Sequence, residues 1–219
     1  MTGRLSALQE TILGVLGRLD PPPVVTGGAA LAAFYTRHRT TRDVDAFWRD
    51  RAVLGDVSRA VIGALETQGL SVSVLQRTPA FARLRVARGE EVCLLDLVAE
   101  PVTTLEPPVI HVVRGVDVAA DSPYEILVAK LCTLLERAEL RDLLDVMVLV
   151  EAGGDLTRAV ADAPVKDGGF SALTLAWVLE TTPFEALAAG SDLDAPTLAR
   201  LEAFRRSLID LLTQPPPER

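Results

Sequence analysis

The 219-residue chain predicts an α+β fold. A mixed β-sheet flanked by helices spans residues 1–120, and an all-helical domain spans 121–219. Three observations carry this reading. Segments with strand-like alternation or continuous apolar runs all lie before residue 120. Beyond it only helical spacing recurs. At the junction, Asp121-Ser122-Pro123 is a helix-start signal, a capping side chain set before proline.

The elements follow in order. Leu5, Leu8, Ile12, Val15, Leu16 and Leu19 have helical spacing, so 4–19 reads as a helix, stopped by Pro21-Pro22-Pro23. Val24-Val25 is a short strand running into Gly27-Gly28, and 29–37 holds strong helix formers. Residues 43–48 form a strand and 51–68 a helix ending near Gly69. Segments 71–77, 80–88 and 91–99 are strands, the last two joined by an Arg88-Gly89-Glu90 turn. A proline-containing link over 101–108 leads to one or two edge strands in 109–118. Helices are expected at 123–138, 140–152, 155–163, 170–180, 183–189 and 195–213, with a disordered tail from Gln214.

Composition narrows the function classes. At 49% hydrophobic residues the chain can build a substantial core. No apolar run approaches the ~18–20 residues that span a bilayer, and the N-terminal segment lacks a signal-peptide pattern. Cys93 and Cys132 stand in apolar surroundings without a CxxC spacing and read as reduced thiols, which fits a cytoplasmic protein. The net charge of −8 is uneven: 13 basic and 13 acidic residues in 1–120, 9 and 17 in 121–219. The second half therefore has no general polyanion-binding character, and a nucleic-acid contact would have to be local to the arginines of the first half. Arg83, Arg85 and Arg88 alternate there on one strand, as a nucleic-acid contact or a solvated face. Only Lys130 and Lys166 are lysines among 22 basic residues, so the position of each calls for a reason.

Three carboxylates point to chemistry. Asp43 and Asp45 are two apart on a strand and project from one face. Like charges that close repel unless a cation sits between them or one is protonated, so the pair reads as a divalent-metal site. Asp96 lies inside an otherwise apolar strand, where a carboxylate is costly unless it is paired or metal-bound. A salt bridge to Arg83 or Arg85 on the neighbouring strand is the structural alternative. Gly27-Gly28, at a strand-to-helix turn, can offer helix N-terminal amides to phosphate oxygens. Mg²⁺ takes such oxygen ligands and shares them with substrate phosphates. The zinc spacings, Walker A and G-x-S-x-G signatures are absent.

In this order the residues resemble the DNA polymerase β-like nucleotidyltransferase superfamily. Arg39-Thr40-Thr41-Arg42-Asp43-Val44-Asp45 resembles its R-x-[ST]-x-D-h-D motif. Lys130 through Arg137, then Arg141-Asp142-Leu143-Leu144-Asp145, resembles a K-x6-R…RD-x-x-D signature. Together these are similar to AbiEii/AbiGii-type nucleotidyltransferase toxins, over about residues 24–150. The resemblance implies a nucleotidyltransferase-type sheet. It implies two Mg²⁺ ions held by Asp43, Asp45 and Asp96, with Asp96 assisting deprotonation. It implies NTP contacts from Gly27, Gly28, Arg39 and Thr41, and from Lys130, Asp142 and Asp145 across a cleft. A helix-surface ion-pair cluster is the alternative for the last three.

The implied reaction transfers NMP from an NTP to a hydroxyl on a tRNA 3′ end or a protein, in a toxin with a cognate antitoxin and no membrane role. Two other readings stand beside it: modification of a small molecule such as an aminoglycoside, which the acidic half suits, and a non-catalytic nucleotide-binding module.

Overall fold

The computed structural model describes residues 5–36 and 38–214. The expected tail beyond Gln214 and the expected helix residues Arg4 and Arg37 lie outside them. The chain divides into two compact units, Met1–Pro123 and Tyr124–Arg219.

The first unit is built on a seven-stranded mixed sheet. Its elements are α1 (Ala7–Leu16), β1 (Val24–Thr26), α2 (Gly27–Phe34), β2 (Asp43–Trp48), α3 (Val57–Thr67), β3 (Ser71–Arg77), β4 (Phe81–Arg88), β5 (Glu91–Ala99), β6 (Val109–Val113) and β7 (Val116–Ala120). The spatial order is β3-β4-β5-β2-β1-β7-β6. β2–β5 and β1–β7 are parallel, and the other neighbours are antiparallel.

Alternation along β2 sorts its side chains. Val44, Ala46 and Trp48 are 2% exposed or less, while Asp43, Asp45 and Phe47 on the other face are half-buried. The buried row continues into Leu95 and Leu97 of β5 and Leu84 of β4. Leu8, Ile12 and Leu16 of α1 and Val61 and Leu65 of α3 complete this core. α1 starts on a capping box in which Ser6 and Gln9 exchange hydrogen bonds.

Three elements depart from the sequence expectation. The helix expected over 51–68 begins only at Val57, because Gly55 takes a left-handed φ of 53° and breaks the run. α2 opens on the glycine pair, as the strand-to-helix turn implies, but stops at Phe34, short of the expected end at 37. The helix expected to stop before Pro164 continues to Lys166, where Lys166 is tied to buried Glu125.

One internal ion pair closes the first unit. Arg49 Nη1 and Nη2 each donate to Asp121 at 2.6 Å, and Asp121 is fully buried. The sequence offers Asp121 or Ser122 as the helix cap, but both Asp121 oxygens serve Arg49. Ser122 Oγ donates to Glu106 at 2.6 Å. Arg49→Leu removes the partner of a buried carboxylate. It is expected to lower stability by about 3–5 kcal/mol in urea unfolding.

The second unit holds α4 (Pro123–Arg137), α5 (Leu140–Glu151), α6 (Leu156–Lys166), α7 (Ala172–Thr181), α8 (Phe184–Ala189) and α9 (Ala195–Thr213). Ile126, Leu127, Leu131, Val146, Leu175, Leu201 and Leu208 form its apolar interior, each fully buried. Among the described residues no helix is long and apolar enough to cross a membrane. Both cysteines are free thiols, Cys93 buried and Cys132 half-buried. Burial pushes the Cys93 thiol up to about 12.

Candidate active site

Strand register sets the candidate site. Thr26 of β1 faces Asp45 of β2, Asp45 faces Asp96 of β5, and Asp96 faces Arg83 of β4. Residues paired across neighbouring strands share a face. Asp43 lies on that face too, two residues before Asp45. The three carboxylates expected from the sequence therefore point to one side of the sheet. Val44 and Leu95, which belong to the core, point to the other.

The residues flanking the acids are fitted to them. Gly27 has φ 61°, and a side chain there would set its Cβ 3.0 Å from Asp45 Oδ2. Gly28 makes room for Arg39: a Cβ on Gly28 would stand 2.7 Å from Arg39 Nη2 and 3.3 Å from its Cζ. The two glycines thus place the start of α2 beside a carboxylate and a guanidinium. Gly27→Ala meets both a left-handed backbone and Asp45. It is expected to destabilise by about 1–2 kcal/mol. Gly28→Ala meets only the end of a flexible side chain and gains helix propensity. Its stability is expected to change by less than about 0.5 kcal/mol. Urea unfolding of the two variants separates these outcomes.

Thr41 is buried, and its hydroxyl donates a hydrogen bond to Asp43 Oδ1. Gln9 Nε2 of α1 donates to the Thr41 carbonyl at 2.9 Å, which anchors the loop before β2 to the first helix. Sequence reasoning missed Gln9. Its signals were the Ser6-x-x-Gln9 spacing of a capping box and a polar residue in the apolar stripe of α1.

Asp96 is 7% exposed and has a dedicated partner. Arg83 Nε donates to Oδ1 at 2.8 Å and Arg83 Nη2 to Oδ2 at 2.6 Å, a two-pronged pair. Hydrogen bonding to Asp96 is the main reason the Arg83 guanidinium holds its proton more firmly than usual, and the charges of Asp96, Asp45 and Asp43 act the same way. Arg83 also lies 5.8 Å from the centre of the Phe81 ring. Among the described residues no group of three or more His, Cys, Asp or Glu side chains closes into a compact metal shell. Asp43 and Asp45 nevertheless fit a hard divalent ion. They are two oxygen donors on one face, partly open to solvent, and Mg²⁺ commonly takes one or two carboxylates and completes its shell with water and phosphate oxygens.

Lys130, Asp142 and Asp145 form a separate cluster in the second unit. Lys130 Nζ lies 2.6 Å from Asp142 Oδ1 and 2.9 Å from Asp145 Oδ2. Arg137 adds hydrogen bonds to Asp142 at 2.8 and 3.2 Å. Both aspartates are fully buried and Lys130 is 8% exposed, so the cluster is internal rather than a helix-surface network. Burial pushes the Asp142 carboxyl up, but hydrogen bonds and charge from Arg137 and Lys130 outweigh it and hold the group below the usual carboxylate range.

Sheet order, strand register and acids on one face define a mixed-sheet fold with a carboxylate-lined face, and solved structures share that fold. MenT4, a nucleotidyltransferase toxin from Mycobacterium tuberculosis, superposes with a TM-score of 0.62 at 18% identity, covering 95% of this chain and 82% of that one. JHP933 from Helicobacter pylori superposes with a TM-score of 0.56 at 19% identity, over 94% and 90%. At such identities the likeness is one of fold. The family model for the nucleotidyl transferase AbiEii toxin of type IV toxin–antitoxin systems matches residues 14–216, and the chain belongs to that family. No curated protein gives a match.

Proposed function

We propose that this AbiEii-family nucleotidyltransferase transfers NMP from an NTP to a hydroxyl acceptor, a tRNA 3′ end or a protein side chain, with Mg²⁺ as cofactor. The observation that carries the reading is the row Thr26–Asp45–Asp96–Arg83 with Asp43 on the same face and the Gly27-Gly28 turn against Asp45. Asp43 and Asp45 would hold the metal, with Asp96 as the third carboxylate. A bound divalent ion supplies charge neutralisation for the phosphates and lowers the pKa of the attacking hydroxyl.

The chain's own residues do the rest. The amides opening α2 and the guanidinium of Arg39 bind phosphate oxygens, with Thr41 fixing Asp43 beside them. The acceptor oxygen bonds to the α-phosphorus, the bond from it to the β-phosphate oxygen breaks, and pyrophosphate leaves. Asp96 takes the acceptor proton. Lys130, Asp142 and Asp145, buried and paired with one another, would support nucleotide binding indirectly by holding α4 against α5, and a cognate antitoxin would restrain the activity in the cytoplasm.

The test is incubation of the purified chain with each labelled NTP and Mg²⁺ against total RNA, protein lysate and aminoglycosides in turn. Label in RNA or in protein assigns the acceptor. The surplus of acidic residues in the second half favours a cationic small acceptor as the second reading, and label on the aminoglycoside alone would establish it. Nucleotide binding with no transfer to any acceptor overturns both. Gly28→Ala, which moves Arg39, is expected to weaken NTP binding about tenfold while the fold stays intact, measured by equilibrium dialysis.

A further inference from the structure

We propose that Arg83 is the resting counter-ion of the site, a cation built into the sheet that occupies Asp96 until a divalent ion displaces it. The inference rests on the metal-binding reading above and adds a residue to it.

Three acids on one face of a sheet repel one another when no metal is present. The chain meets this with a guanidinium in register. Arg83 stands directly opposite Asp96 across the β4–β5 ladder and engages both of its oxygens, at 2.8 and 2.6 Å. A carboxylate bound in this way has one lone-pair site on each oxygen filled and its charge neutralised, so it is a weaker metal ligand than a free carboxylate.

The pair is asymmetric. The Arg83 side chain is 44% exposed while that of Asp96 is 10% exposed. The cation can therefore withdraw into solvent while the carboxylate stays in place. The Phe81 ring, 5.8 Å from the guanidinium, offers a face on which the displaced cation can rest. Metal entry then exchanges one cation for another, and the apparent metal affinity is reduced by the free energy of the Arg83–Asp96 contact.

The experiment uses the full chain and Mn²⁺ as the probe. Free Mn²⁺ is followed by electron paramagnetic resonance, and melting temperature is recorded with and without the ion. Arg83→Gln is expected to bind Mn²⁺ about tenfold more tightly than wild type, because a competing charge-assisted pair is gone. Its metal-free melting temperature is expected to fall, and the upward shift on adding Mn²⁺ to grow. Arg83→Lys, which keeps the charge but loses the planar fork, is expected to lie between the two. In Arg83→Gln/Asp96→Asn the tightening should vanish.

A merely structural Arg83 would lower the melting temperature without tightening Mn²⁺. That outcome, with wild type still binding Mn²⁺ and Asp43→Asn/Asp45→Asn failing to bind it, overturns this proposal and leaves the metal reading standing. Absence of Mn²⁺ binding in wild type overturns both. Should the glutamine variant not fold, an unchanged Mn²⁺ affinity in Arg83→Lys overturns the proposal.

Discussion

Exchanging both Asp43 and Asp45 for asparagine is expected to reduce nucleotidyl transfer by at least about a thousandfold, since the metal-borne share of transition-state stabilisation amounts to several kcal/mol. The fold should survive. Asn at 43 still offers Thr41 an acceptor oxygen for the hydrogen bond seen with Asp43. Removing two negative charges from one face relieves repulsion with Asp96, so the melting temperature should stay level or rise. Loss of activity with unchanged or greater stability is the signature of residues kept for chemistry. The check is a paired measurement of turnover and urea unfolding. A double variant with full turnover would refute the site assignment.

The second large effect concerns stability. Lys130→Met removes the cation between two fully buried carboxylates, Asp142 and Asp145. Breaking a buried ion pair from one side costs about 3–5 kcal/mol. Neutralising the acids as well, in Lys130→Met/Asp142→Asn/Asp145→Asn, should recover part of the loss, which separates uncompensated charge from lost packing.

The pH dependence has a definite sign. Asp142 is held below the usual carboxylate range in the folded protein. Its contribution is therefore complete above the unfolded-state value, about pH 4, and is lost as the pH falls through the lower folded value. Wild type should lose stability on acidification below about pH 4. The Lys130→Met deficit should begin to shrink at higher pH than that, because burial of Asp142 without its lysine favours the protonated carboxyl. A deficit independent of pH would show that packing, not charge, was removed.

What the sequence discloses about this site depends on how local each feature is. Asp43 and Asp45 are legible because strand alternation alone puts them together. The glycine pair is legible because the turn lies next to its strand. Asp96 stands out as an acid in an apolar run, and the sequence narrows its partner to Arg83 or Arg85. Only the β4–β5 register, which pairs Arg83 with Asp96 and Arg85 with Leu94, decides between them. The Arg49–Asp121 pair joins residues 72 apart and has no local signal at all. Helical spacing brings Lys130, Asp142 and Asp145 to shared faces, but their burial comes from packing within the second unit. Elements fail where one residue overrides its neighbours: Gly55 delays α3, and Pro164 does not end α6.

The two lysines of this chain share one circumstance. Lys130 is clasped by Asp142 and Asp145, and Lys166 by fully buried Glu125, while the arginines supply most of the surface cations. An amine-selective acylating reagent will therefore find no open lysine side chain on the folded second unit. Modification at either position can proceed only through transient opening of the helices, so its rate reads the opening equilibrium directly. A mass-resolved labelling time course would make these two amines paired internal clocks, one on α4 and one on α6, reporting whether the helical unit breathes as a whole or in parts.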